Sequence, residues 1–188
     1  MGVAGGAEAA IHATRRYINH LPPDHAIIKL DFANAFHTLR RDLSLKRVAR
    51  NTPELYRFTL ATYSCELTLV CGNYIIPSRE GPHQGDRLSS LEFCESIQPI
   101  PSVLNWDLVI GFIDDLSMSA DLPILAQDVV TIIKAVASTG LNFNISKCEI
   151  IMADFSQLSH FQIFKDFIHV PKENMSLLGA HPAGSSFG

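Results

Sequence analysis

The stretch Gly111-Phe112-Ile113-Asp114-Asp115-Leu116 places two adjacent carboxylates directly after a short apolar run at residues 108–113. A run of that length, rich in branched residues and bounded by charge, predicts a buried strand. Aspartate is common in solvated turns, so the end of a strand explains this pair as well as a binding site does. Carboxylate oxygens are also the ligands that Mg²⁺ prefers, so the pair predicts a metal site if other acids converge on it.

A third aspartate follows a second apolar strand. Residues 26–32 predict a strand that carries branched apolar residues up to Asp31. One acid at the end of a strand is unremarkable. Two strands that together present three acids indicate a shared site.

The composition indicates a globular chain with one core. The chain has 188 residues, of which 47% are apolar and 18% are charged. None of its apolar runs reaches the roughly 18 residues that a membrane helix needs, so no contact with a membrane is expected. The four cysteines, at 65, 71, 94 and 148, are scattered and predict reduced thiols in an intracellular protein rather than a disulfide framework or a zinc site.

The charge is unevenly distributed along the chain. The net charge is −4, yet residues 1–60 hold nine Lys and Arg against five Asp and Glu. A basic face on this first third would suit a nucleic acid, although a solvated helix face explains it equally well. Its members are Arg40, Arg41, Lys46, Arg47, Arg50 and Arg57.

The remaining patterns predict alternating helices and strands. Helices are predicted over residues 5–21, 88–97 and 124–137, and two more over 38–64, separated at Pro53. A hairpin is predicted at 67–70 and 74–76, a return strand at 116–120 and a further strand at 144–152. The fold class is therefore α/β, with an antiparallel sheet of three or four strands and helices packed on one face. Residues 1–182 form the domain and 183–188 a flexible tail.

Five motifs in order resemble the palm of a reverse transcriptase, specifically of the non-LTR, LINE-like retrotransposon type, over about residues 2–182. The first two are Lys29-Leu30-Asp31-Phe32-Ala33-Asn34-Ala35-Phe36 and Glu80-Gly81-Pro82-His83-Gln84-Gly85-Asp86. The third is Phe112-Ile113-Asp114-Asp115, and the fourth is Gly140-Leu141-Asn142-Phe143-Asn144 with Lys147-Cys148-Glu149. The last is Leu177-Leu178-Gly179. Single motifs of this kind are common by chance, but five in order with plausible gaps are specific.

The resemblance implies RNA-directed DNA polymerase chemistry. Two Mg²⁺ ions, or Mn²⁺, would be held by Asp31, Asp114 and Asp115, and they would stabilise the attacking and leaving oxygens of phosphoryl transfer. Lys147 would protonate or neutralise the leaving pyrophosphate, unless it is an ordinary surface lysine. The partners implied are an RNA template, a DNA primer and deoxynucleotides.

Further residues acquire roles only through the resemblance. The carbonyl of Phe32 could add a metal contact, and Phe36 would crowd the sugar 2′ position, or else serve as a core aromatic. Gln84 and Gly85 would lie beside the incoming base pair, or simply form a turn. Gly179 would support the primer end.

Departures from the family pattern predict weak or absent activity for this chain alone. The fingers and thumb of the family are largely absent from the sequence, and Arg87 stands where the family usually has proline. Glu92 and Glu95 occupy helix positions that are normally apolar, where burial without a partner would cost several kcal/mol. A non-catalytic relic or interaction module is therefore the main alternative. A two-metal nuclease or phosphohydrolase is a third, although the sequence places no histidine or extra acid to activate water.

Overall fold

A computed structural model describes residues 4–65, 67–83, 85–100 and 106–180. The chain divides into two compact units. The sheet unit comprises Met1–Phe32, Leu104–Lys134 and Phe143–Gly188, and the helical unit comprises Ala33–Val103 and Ala135–Asn142. The expected tail at 183–188 and the predicted site residue Gln84 lie outside the described residues.

The sheet unit is built on five strands in the order β4-β5-β1-β6-β7. These are β1 His25–Leu30, β4 Leu108–Phe112, β5 Asp115–Asp121, β6 Glu149–Met152 and β7 Ile168–Pro171. The β1–β5, β4–β5 and β1–β6 pairs are antiparallel, whereas β6 and β7 are parallel. The α/β class is confirmed, but the expectation of three or four antiparallel strands is wrong, because β7 adds a fifth strand in the parallel sense.

Helix α1, Gly6–Asn19, packs its apolar stripe on one face of this sheet. Ile18 of α1 lies in a buried cluster with Ile27 of β1, Ile151 of β6 and Leu177. Cover is not confined to that face, since Ile27 and Ile28 are adjacent in β1, point to opposite faces and are both fully buried. Helix α6, Leu122–Ala137, confirms the helix predicted over 124–137 and buries one stripe of it, with Leu125, Val129, Ile132 and Val136 at most 1% exposed.

In its described part, the helical unit contains four helices and a separate hairpin. The helices are α2 Ala35–Thr38, α3 Arg41–Asn51, α4 Pro53–Tyr63 and α5 Ser89–Ile97. Pro53 opens α4, where its missing N–H costs nothing, so the predicted break between two helices is confirmed. Strands β2 Leu67–Cys71 and β3 Tyr74–Ser78 form the predicted hairpin as a two-stranded sheet of their own.

The strand predicted over residues 144–152 is only half correct. Residues 145–147 form a single 3₁₀ turn, in which the carbonyl of Asn144 accepts from the amides of Lys147 and Cys148. Strand β6 begins only at Glu149. Among the described residues, further 3₁₀ turns lie at Leu158–His160, Gln162–Phe164 and Lys172–Asn174, in a part of the chain for which no helix or strand was predicted.

None of the helices in the described part of the chain is long and apolar enough to cross a membrane.

Candidate functional site

The predicted carboxylates gather at one end of the sheet. Leu30, the last residue of β1, pairs with Leu116 of β5 in the antiparallel sense. Asp31, which follows Leu30, therefore lies beside Asp115, which precedes Leu116. Asp114 is at the tip of the β4–β5 hairpin, where Phe112 pairs with Asp115 across a two-residue turn. The structure therefore brings all three acids to one end of the sheet.

Negative charge accumulates at Asp115. Partial desolvation and the neighbouring carboxylates of Asp114, Asp31 and Glu149 raise its pKa above the ordinary value, and Lys29 opposes this shift. Like charges held together disfavour ionisation, whereas a cation among them would favour it. A cation bound near Asp115 would relieve this repulsion.

The donor set fits Mg²⁺, because carboxylate oxygens suit a hard cation. Within the described residues, however, no three His, Cys, Asp or Glu side chains converge closely enough to hold a metal ion as they stand. Metal binding therefore requires rotation of the side chains at the hairpin tip, two of which, Asp114 and Asp115, are exposed.

The tip of the β4–β5 hairpin is strained. Ile113 has φ +54°, in the left-handed region that branched residues avoid. A two-residue hairpin loop requires positive φ at its first central position, which is why Gly, Asn or Asp usually stands there. The strain is stored directly beside Asp114, and such backbone outliers concentrate at functional sites.

We expect Ile113→Asn to raise the free energy of unfolding by about 0.5–1 kcal/mol, because asparagine adopts positive φ more easily than isoleucine. Fluorescence of Trp106, the single tryptophan of the chain and a residue of the sheet unit, reports the urea transition. Val109→Asn, at an exposed position of β4 without positive φ, is the matched control and should be destabilising. A loss of stability in Ile113→Asn equal to that of the control would show that the turn is not strained.

An ion pair that the sequence analysis missed stands on the same side of the sheet. Lys29 Nζ lies 3.0 Å from Glu149 Oε2, and the two residues face each other across β1 and β6. Lys29 is two residues before Asp31, so both project to the same face of the strand. The two-residue spacing between Lys29 and Asp31 was the signal in the sequence that could have found this cation. Lys29 places one positive charge beside the acids, and the carboxylate of Glu149 partly neutralises it.

The fourth motif lies directly against the first. The amide of Asn144 donates to the carbonyl of Asp31 at 2.8 Å, and the amide of Asp31 contacts Cys148 Sγ at 3.5 Å. Phe32 is buried and its ring lies 4.6 Å from that of Phe143. Lys147, in the turn between these contacts, is exposed to solvent.

The remaining predicted residues lie in other parts of the chain. Phe36 and Gly85 belong to the helical unit, where the ring of Phe36 stacks on buried Phe93 at 5.1 Å and Gly85 is exposed with φ +91°. Gly179 belongs to the sheet unit, in a tight turn closed by two hydrogen bonds between Leu177 and Ala180.

Arg41, which the sequence analysis placed on a basic face, holds the loop of the second motif, residues 80–86. Its guanidinium donates to the carbonyls of Ser78 at 2.7 Å and Gly81 at 2.8 Å, and it lies 5.0 Å from the ring centroid of Tyr63. Arg41 therefore does not belong to the basic surface. A planar group with five donors is suited to fixing several carbonyls of one loop.

Comparison with known proteins agrees with the motifs. The family model described as reverse transcriptase (RNA-dependent DNA polymerase) matches residues 6–181. No curated protein sequence matches the chain. Among solved structures, apo telomerase from Candida tropicalis superposes with a TM-score of 0.62 at 13% identity, over 82% of this chain and 33% of that one. Telomerase from Candida albicans, in complex with a TWJ fragment of telomeric RNA, gives 0.51 at 14% identity, over 79% and 30%. The chain thus spans about a third of these telomerase chains and shares their fold.

Proposed function

Because the chain belongs to the reverse transcriptase (RNA-dependent DNA polymerase) family, we propose that its sheet unit carries the catalytic edge of an RNA-directed DNA polymerase palm. The observation that supports this most directly is the pairing of Leu30 with Leu116, which sets Asp31 beside Asp115 and next to Asp114. Acids from separate strands meet at one edge, as nucleotidyl transfer requires.

Asp31, Asp114 and Asp115 would hold two Mg²⁺ ions, or Mn²⁺. Bound there, the ions would stabilise negative charge on the attacking and leaving oxygens. Partial desolvation and then the neighbouring carboxylates raise the pKa of Asp115, and a bound cation would offset both effects by favouring the ionised form.

Other side chains would act on the nucleic acid and the nucleotide. Lys147 is exposed, and we assign its ammonium the role of giving a proton to the leaving pyrophosphate. Phe36 would limit space at the sugar 2′ position, and its stacking on Phe93 would keep the ring in one orientation. The carbonyl of Phe32 would contact the metal. The backbone of Gly85 would lie beside the new base pair, together with Gln84. The turn at Gly179 would contact the primer end. The substrates would be an RNA template, a DNA primer and deoxynucleotides.

We place the chain in the non-LTR, LINE-like retrotransposon type on the five motifs in their order. We also propose that this chain is weak or inactive by itself. Its net charge of −4 gives little electrostatic attraction to phosphates.

A non-catalytic role, as a relic or an interaction module, is favoured by one feature of the helical unit. Glu92 in α5 is 1% exposed, and among the described residues its Oε1 finds no hydrogen-bond partner. A polymerase under selection would be expected to lose such a residue.

Primer extension on poly(rA)–oligo(dT) with Mg²⁺ or Mn²⁺ tests the proposal. We expect weak extension that disappears in the Asp114→Asn, Asp115→Asn double variant and persists in Asp166→Asn, which removes an exposed acid elsewhere in the sheet unit. Extension that survives in the double variant would refute the assigned site.

Thermal unfolding with and without Mg²⁺ tests the metal site even if no extension is seen. Binding to the folded state alone should stabilise the wild type by about 1.4 kcal/mol when Mg²⁺ is at ten times its Kd, and should leave the double variant unchanged. An equal response of both proteins to Mg²⁺ would refute the metal site, and with no extension it would favour the non-catalytic alternative.

A further inference from the structure

The β2–β3 hairpin, residues 67–78, is an uncharged and exposed part of the helical unit. Its twelve residues include no Asp, Glu, Lys or Arg. Its apolar side chains are largely open to solvent, with exposed fractions of 47% for Leu69, 74% for Val70, 75% for Tyr74, 72% for Ile75 and 49% for Ile76. An isolated hairpin is marginally stable in water, and several exposed apolar side chains grouped on one hairpin indicate an interaction site.

Both faces of the hairpin are exposed. Val70 lies opposite Ile75 on one face, and Leu69 lies opposite Ile76 on the other. A partner resting on one face would leave the other in water. A partner that adds a strand at the edge would extend both faces at once.

The two edges of the hairpin are not equivalent. The loop Gly72-Asn73 joins the closing pair Cys71 and Tyr74, which in a two-residue hairpin is hydrogen-bonded. By alternation, Val70–Ile75 and Thr68–Pro77 are non-hydrogen-bonded pairs, whose backbone groups point outward. Pro77 has no N–H, so the β3 edge lacks a donor, whereas the β2 edge presents complete groups at Thr68 and Val70.

We propose that a second copy of this chain binds along the β2 edge in antiparallel orientation, giving a four-stranded sheet β3-β2-β2-β3. The two-fold axis would pass beside Leu69, so that Leu69 faces its own counterpart and Thr68 faces Val70 of the second copy. When two identical edges pair in the antiparallel sense, the outward backbone groups of each edge are hydrogen-bonded by the other. This two-fold arrangement is what a closed dimer requires. The absence of charge disfavours nucleic acid, which needs Lys or Arg to neutralise phosphates, and suits an equally uncharged second copy.

Sedimentation equilibrium of matched proline variants tests the edge. Val70→Pro removes an outward N–H from β2, and Ile75→Pro makes the same change at its cross-strand partner on β3. Neither N–H is used inside the hairpin. We expect a dimer in the wild type and in Ile75→Pro, and at least a tenfold higher dimer Kd in Val70→Pro. A monomeric wild type, open-ended oligomers, or equal weakening in both variants would overturn the proposal.

Cross-linking tests the register and does not depend on the proline variants. In a Cys65→Ser, Cys71→Ser background, Leu69→Cys places two thiols opposite each other, and Thr68→Cys does not. A cross-strand pair of this kind is close enough for a disulfide. Under mild oxidation we expect a covalent dimer from Leu69→Cys and at most a tenth as much from Thr68→Cys. Equal yields, or none from Leu69→Cys, would overturn the register. Both experiments measure association alone, so their outcome is independent of polymerase activity.

Discussion

Gly81→Ala is expected to unfold the helical unit or to lower its free energy of unfolding by about 4 kcal/mol or more. A Cβ at Gly81 would lie 1.8 Å from the carbonyl oxygen of Phe36 and 2.8 Å from the Cα of His37, so it would overlap backbone that cannot rotate away. The amide of Gly81 donates to the carbonyl of Leu39 at 2.8 Å, and its carbonyl accepts from Arg41. Relieving the overlap breaks these hydrogen bonds. Positive φ, here +65°, adds about 1–2 kcal/mol for any residue with a Cβ.

Gly72→Ala is the matched control. Gly72 has φ +59°, but no atom of the described residues lies within 4 Å of the position of its Cβ. Gly72→Ala should lower the free energy of unfolding only by the cost of positive φ, about 1–2 kcal/mol. The difference between the two variants therefore isolates the overlap with Phe36. Hydrogen exchange resolved by peptide, together with far-UV circular dichroism, would locate the loss in residues 33–100. A Gly81→Ala variant as stable as Gly72→Ala would mean that the loop does not lie against Phe36.

The candidate site was readable from the sequence because it depends on local rules. Apolar strands that end in Asp31 and in Asp114-Asp115 leave few ways to pair, and the observed register of Leu30 with Leu116 is one that brings the acids together. The pairing also explains why adjacent strands, rather than distant ones, supply them. The break at Pro53 and the hairpin at 67–78 were likewise local signals.

Other features depend on contacts that sequence periodicity does not encode. Strand β7 has only four residues, and its parallel pairing with β6 is decided by the path of the intervening segment. The left-handed backbone of Ile113 follows from closing a two-residue turn with a residue poorly suited to it. Arg41 was misassigned because a charge pattern does not reveal that its donors are used by Ser78 and Gly81.

The two glutamates of α5 show the same limit in a single helix. Both were identified as polar residues at positions expected to be apolar. Glu92 is buried as expected, with Oε2 accepting from Ser44 Oγ at 3.4 Å, whereas Glu95 is half-buried and accepts a hydrogen bond from Asn51. The helical period identified the face, but which group each carboxylate meets depends on the neighbouring helix α3, which supplies Ser44 to Glu92 and Asn51 to Glu95.

Glu92→Gln is expected to stabilise the protein at pH 8 by about 2–3 kcal/mol and to have little effect at pH 4.5. Burial raises the pKa of Glu92 from its ordinary value near 4.5 to about 7, with Asp86 adding to the rise and Ser44 and Arg41 opposing it. The folded state therefore binds more protons than the unfolded state between these values. Stability contributed by the neutral carboxyl is present below pH 4.5 and is lost as the pH rises to 7, and above that the loss is constant.

Glu95→Gln is the control in the same helix, because its carboxylate is only half-buried and has Asn51 as a partner. Urea titrations at several pH values between 4.5 and 8 give the free energy of unfolding as a function of pH. The difference between wild type and Glu92→Gln should grow as the pH rises, whereas the difference between wild type and Glu95→Gln should stay constant. The divergence should follow a single titration that ends near pH 7. A constant difference across this range would show that Glu92 is not ionising inside the fold. The gain at pH 8 would identify this buried charge as a cost to the stability of the helical unit at neutral pH.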